Sequence, residues 1–163
     1  MEQDKRTYGW RVHAVIAAAT VIVASLVGNL ATTPNIPTWY DPLPKPWFTP
    51  PNWVFGPVWT VLYALLAWSF YRILRKDPQT PGRSRAIMIF IAQIALNTLW
   101  SIVFFGLRSP ALGLVVIAPL WASIILNAIA FRRVDPLSAW SFAPYLAWVS
   151  FAAILNAAIH QLN

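Results

Sequence analysis

Residues 38–53 read TWYDPLPKPWFTPPNW, and they divide two long apolar runs. The stretch holds five prolines, three tryptophans, one acid and one base. Proline fixes φ and removes a backbone donor. The loop therefore has little conformational freedom to lose on ordering. Trp39, Tyr40, Trp47 and Trp53 give it flat surfaces, while Asp41 and Lys45 can pair or meet a ligand's charged group. It reads equally as a preformed cap over the mouth of a helix bundle or as a segment resting on lipid headgroups.

Outward from this stretch, crossing a hydrocarbon core of roughly 30 Å takes about 20 apolar residues in a helix. Five segments meet that length, at about 12–32, 54–74, 86–107, 111–131 and 137–159. With Arg72 set aside as a boundary residue, none holds an Asp, Glu, Lys or Arg. Lipid cannot satisfy open backbone groups, so the spans must be helices. The expected fold is an all-α integral membrane bundle of five transmembrane helices over residues 1–163, with loop 33–53 as its cap. Pro57, Pro119 and Pro144 fall within the spans.

Composition agrees. Hydrophobic residues make up 58% of the 163 residues and charged ones 10%, against about 25% charged in soluble domains. The net charge of +7 does not signal nucleic acid, because the basic residues cluster between apolar runs instead of lining one face. The first run is too long for a signal-peptide core and reads as a mature segment. The chain has no cysteine, and its histidines, His13 and His160, lie near opposite ends. Neither a disulfide framework nor a transition-metal site is expected.

Charge also orients the bundle. Ten basic residues (Lys5, Arg6, Arg11, Arg72, Arg75, Lys76, Arg83, Arg85, Arg132 and Arg133) fall on one side, and Lys45 and Arg108 on the other. The positive-inside rule places the N-terminus inside a bacterial cytoplasmic membrane and the proline-rich loop outside. An outer or organelle membrane would obey different rules.

No ionisable residue remains mid-span to couple proton or ion flow. The polar inventory is neutral amides: Asn29, Gln93, Asn97, Asn127 and Asn156. Asn29 and Asn127 read as helix-to-helix hydrogen-bonding residues. Gln93, Asn97, Trp100 and Phe104 share one helical face, as do Phe55, Trp59 and Tyr63, and also Pro144, Trp148, Ala152 and Asn156. Such faces suit a mostly apolar ligand pocket with a few placed polar groups. Trp10, Trp68, Trp121 and Trp140 read as interfacial anchors.

Several motifs carry a family resemblance. WYDPLPKPWFTPPNWVFGPVW (39–59), LY (62–63), AQIALNTLWSIVFFG (92–106) and PYLAWVSFAAILN (144–156) stand in register. Together they resemble the translocator protein family, also called tryptophan-rich sensory proteins or peripheral-type benzodiazepine receptors. The resemblance implies a five-helix bundle, commonly a homodimer, that binds tetrapyrroles such as protoporphyrin IX and haem. It also implies synthetic isoquinoline carboxamide and benzodiazepine ligands, and cholesterol in some members. Porphyrin or haem is then a ligand, and no cofactor is required. Carried over by position, the pocket lining is Tyr40, Pro50, Trp59, Gln93, Asn97, Trp100, Phe104, Trp148 and Ala152, capped by Trp39, Asp41, Lys45 and Trp47. The resemblance further implicates Trp59 and Trp148 in light-dependent porphyrin breakdown; no residue reads as a hydrolytic or acid–base catalyst. Where high-affinity sterol binders carry an aromatic and a basic residue, this chain has Ala157, Ala158 and Gln161. Weak sterol binding is expected. Three readings result: a porphyrin receptor or carrier, a photo-oxidative porphyrin-degrading enzyme, and an interaction protein whose ligand binding is incidental.

Overall fold

The computed structural model describes residues 2–163, with side chains from Gly9 onward. Lys5 and Arg6, used above to orient the chain, have side chains outside the described set. Helix α1 runs Glu2–Thr32, α2 Asn52–Leu74, α3 Arg83–Ser101, α4 Pro110–Val134, α5 Pro136–Ala139 and α6 Phe142–Leu162. No strand occurs among the described residues. Five stretches are long and apolar enough to cross a membrane: Gly9–Thr32, Asn52–Leu74, Arg83–Gly106, Pro110–Val134 and Pro136–Leu162. Four expected spans lie wholly inside these, and the third overshoots its stretch by Leu107.

Local chemistry sets the ends. Gly82 takes φ +83° before α3, a left-handed conformation that glycine adopts without strain. Pro110 opens α4 where a missing donor costs nothing, and the Ser109 hydroxyl accepts from the Leu112 amide at 3.3 Å. The fifth span is not continuous, because α5 and α6 meet at a turn through Trp140 and Ser141. Pro144, expected within the fifth span, lies in the first turn of α6. Pro57 and Pro119 are interior to α2 and α4. Two π-helical turns, Ile36–Tyr40 and Ile102–Gly106, were not legible in the sequence.

The helices close a circuit. Helix α1 packs on α2 and α3, α3 on α4, and α4 on α6, while the α2–α6 contact is the thinnest. At the end remote from loop 33–53 the interior is filled by rings. Phe70 stacks on Phe90 at 4.2 Å, Phe90 meets Phe131, and Phe131 meets Phe142 edge-on at 4.9 Å. Lipid tails are as apolar as these side chains, so close packing and hydrogen bonds hold this end together, not hydrophobic transfer. Polar ties join α2 to the α4–α5 junction. The Ser69 hydroxyl donates to the Ser138 carbonyl at 2.7 Å, and Asp135 pairs with Arg72 (3.0 Å to Nη2) and Lys76 (3.1 Å). The Arg72 hydrogen bond, helped by Lys76, outweighs burial and holds the Asp135 carboxyl at about 2. Outward positions such as Val15, Leu30, Val115 and Ile154 are apolar and exposed, as a lipid-facing surface requires.

Candidate functional site

At the loop end the bundle is hollow. A cavity of about 730 Å³ lies between α1, α2, α3 and α6, within the range of small-molecule sites. Trp59, Trp100 and Trp148 border it, with Tyr40, Tyr63, Phe55, Phe105 and Ala152. None of the bordering residues is Asp, Glu, Lys, Arg or His. The chamber is therefore a place for aromatic contact and neutral hydrogen bonds.

Each indole is held from behind. The Trp100 ring stacks on buried Phe104 at 5.1 Å, and its Nε1 donates to Asn156 Oδ1 at 3.2 Å. Asn156 Nδ2 donates in turn to the Pro110 carbonyl at 2.8 Å. Gly113 admits this arrangement, since a Cβ there would stand 2.6 Å from Asn156 Oδ1 and 2.9 Å from the Phe104 ring. Trp59 packs against Tyr63 and Tyr145, and Trp148 against Phe55 and Phe151.

A buried polar belt underlies the chamber. The Tyr63 hydroxyl donates to Asn97 Oδ1 at 2.7 Å, Gln93 Nε2 to the Tyr145 hydroxyl at 2.9 Å, and Asn127 Nδ2 to Gln93 Oε1 at 3.2 Å. Asn127 thus bonds helix to helix as expected. Asn29 does not; it is exposed and bonds only Thr33 of the following turn, while bordering the chamber.

The loop end is closed by the Ile36–Tyr40 turn and the proline-rich segment after it. Trp39 meets Phe104 and Phe105 edge-on, Tyr40 meets Phe55, and Phe48 meets Phe151. Lys45 Nζ donates to the carbonyls of Asp41 at 2.7 Å, Tyr40 at 2.9 Å and Leu43 at 3.3 Å. Asp41 accepts from Asn52 Nδ2 at 2.7 Å. Asp41 and Lys45 therefore do not pair with each other. Tyr40 is 3% exposed, and its hydroxyl has no hydrogen-bond partner. Burial, reinforced by Asp41, pushes that hydroxyl up to about 12, so it stays a neutral donor.

Of the residues expected to line a pocket, Tyr40, Trp59, Trp100, Trp148 and Ala152 border one cavity. Gln93, Asn97 and Phe104 are buried one layer behind it, and Pro50 lies in the loop beyond its border. Trp47 is 96% exposed and touches Phe48, so it stands off the chamber. The sequence reading missed the whole α1 wall: Ala18, Ile22, Ser25, Asn29 and Thr32 among others. Their alternating spacing of four and three, with small and polar residues on an otherwise branched helix, was the available signal.

The profile describing the TspO/MBR family matches residues 15–162. The tryptophan-rich protein TspO of Archaeoglobus fulgidus is 40% identical over 91% of this chain and 95% of its own length. The tryptophan-rich sensory protein of Cereibacter sphaeroides is 39% identical over 77% of each chain. The translocator protein of Homo sapiens is 33% identical over 77% of this chain and 75% of its own. A match over nearly the whole bundle, at such identities, settles the family: the chain is an integral membrane protein and belongs to the TspO/MBR family.

Proposed function

We propose that this protein is a membrane receptor or carrier for tetrapyrroles such as protoporphyrin IX and haem, serving in sensing, transport or stress regulation of the porphyrin pathway. The observation that carries the reading is the chamber itself, which four tryptophans (Trp53, Trp59, Trp100 and Trp148) and the rings of Tyr40 and Tyr63 border without a formal charge. Flat conjugated rings gain about 0.5–1.5 kcal/mol per aromatic contact beyond area burial. No His, Cys or Met borders the chamber.

The test is a protoporphyrin titration read by quenching of tryptophan emission. Saturable quenching is expected, with affinity lowered about 10-fold when Trp59→Phe and Trp148→Phe are combined. Linear, unsaturable quenching would count against the site. A second reading, light-driven porphyrin degradation, draws support from Trp59 and Trp148 both bordering the chamber. It requires illuminated bleaching faster than in empty detergent and dependent on those two residues.

Three finer assignments go with this reading. The N-terminus faces the bacterial cytoplasm, by the distribution of basic residues. The protein is a homodimer; exposed small residues such as Ala92 and Ala95 permit close helix contact, whereas Gly106 and Gly113 face Ala31 and Asn156 within the chain. Sterol binding is weak, given Ala157, Ala158 and Gln161; sub-micromolar cholesterol binding by the purified protein would contradict this.

A further inference from the structure

We infer that the chamber is loaded sideways, from the bilayer, through a slot between α1 and α2, and that its substrates are amphiphiles already dissolved in the membrane. The inference rests on reading the chamber as a binding site. Its carrier is the distribution of exposure around the cavity. The wall residues from α3 and α6 (Trp100, Ser101, Trp148 and Ala152) are only partly exposed. Those on α1 and α2 include a line of exposed lips: Ile22 at 54%, Leu26 at 58%, Asn29, Trp53 at 75%, Gly56 and Thr60. The opening therefore lies on the helix flank, at a depth where α1 and α2 are lipid-facing.

The route from water is obstructed. Tyr40 is almost fully buried over the chamber, and Lys45 staples the following loop through three carbonyls. Asn163 Nδ2 also ties the C-terminus to the Pro44 carbonyl at 3.1 Å. The slot is graded to match an amphiphile. Asn29, Thr32 and Asn52 lie toward the loop end, and Ala18, Ile22, Ala64 and Ala67 lie deeper. A ligand with an apolar plane and a polar edge fits with the edge at the headgroup level. Gly56 stands on the rim of the slot beside open space, where a Cβ built on its backbone meets nothing within 4 Å.

The chain has no cysteine, so a single introduced thiol reports access without any porphyrin. Ala152→Cys, and separately the nearly isosteric Ser101→Cys, place a thiol on the back wall. Each variant, in lipid nanodiscs, is labelled with a lipophilic pyrene maleimide or a sulfonated, membrane-impermeant one. The lipophilic reagent should react at least ~10-fold faster, since a few buried methylenes already give that partition. Adding Gly56→Trp should slow it about 10-fold by closing the slot, a steric gate on rate, while leaving lipid-facing Val115→Cys unaffected. Equal rates for the two reagents, or no effect of Gly56→Trp at either reporter, would overturn the slot. Absence of porphyrin binding would strike the proposed ligand and leave these rates as predicted.

Discussion

Gly113 and Tyr40 show how single atoms shape this site. At Gly113 on α4, Asn156 and Phe104 leave no room for a methyl. Gly113→Ala should push Asn156 off Trp100 and cost about 1–3 kcal/mol, as overpacking of a filled interior does. Thermal unfolding in detergent, together with a shift in indole emission, would report both effects; an unchanged melting point would refute the packing. Tyr40 makes the opposite case, because its hydroxyl bonds nothing in the fold. Tyr40→Phe should leave stability unchanged or slightly raised, yet weaken porphyrin binding about 5-fold, the worth of one hydrogen bond. The native state holds the Tyr40 proton up to about 12, against an ordinary 10. Because burial penalises only the ionised form, this group leaves stability unaffected below pH 10 and lowers it as pH rises from there toward 12. Between pH 6 and 9, well below that value, the Tyr40 hydroxyl should stay protonated.

Among the elements, the α2 end and the loop divide what the sequence made legible from what it hid. The spans were plain because uninterrupted apolar runs admit no other structure in lipid. The fate of Lys45 was not. Prolines at 42 and 44 remove amide donors, so carbonyls nearby are left for the ammonium to collect, and Asp41 turns to Asn52 instead. The amides Gln93 and Asn97 were legible as inward-facing but not as a layer behind the chamber. In a dry interior they bond Tyr63, Tyr145 and Asn127 before any ligand arrives. The Asp135 tie was invisible because its partners, Arg72 and Lys76, are some sixty residues away in sequence. Asp135→Asn should cost about 1 kcal/mol, since Arg72 and Lys76 lose their partner while staying partly exposed to solvent. Sign follows from the lowered carboxyl, held near 2 against an ordinary 3.8. The stabilisation is present above pH 3.8 and is lost as pH falls toward 2. A melting temperature for Asp135→Asn equal to that of the parent at pH 7 would contradict the tie.

On the scale of the whole molecule, one end is a filled aromatic core and the other a hollow ringed by indoles. The filled end holds Phe70, Phe90, Phe131 and Phe142 at 2% exposure or less, so a bound molecule meets a floor beneath the chamber. Helix α1 is the part whose role was hardest to read, because Ser25, Asn29 and Thr32 form only a thin polar stripe among its many Val and Ala residues. Only the structure separates the lipid-facing Val15 and Val23 from the chamber-facing Ser25 and Thr32. The most direct test is a density map of the protein with protoporphyrin IX bound in lipid nanodiscs. The account predicts a planar macrocycle inside the chamber, against Trp59, Trp100 and Trp148, with its polar edge toward Asn29 and Asn52. Density for the macrocycle only on the outer surface of the bundle, with the chamber unchanged, would contradict it.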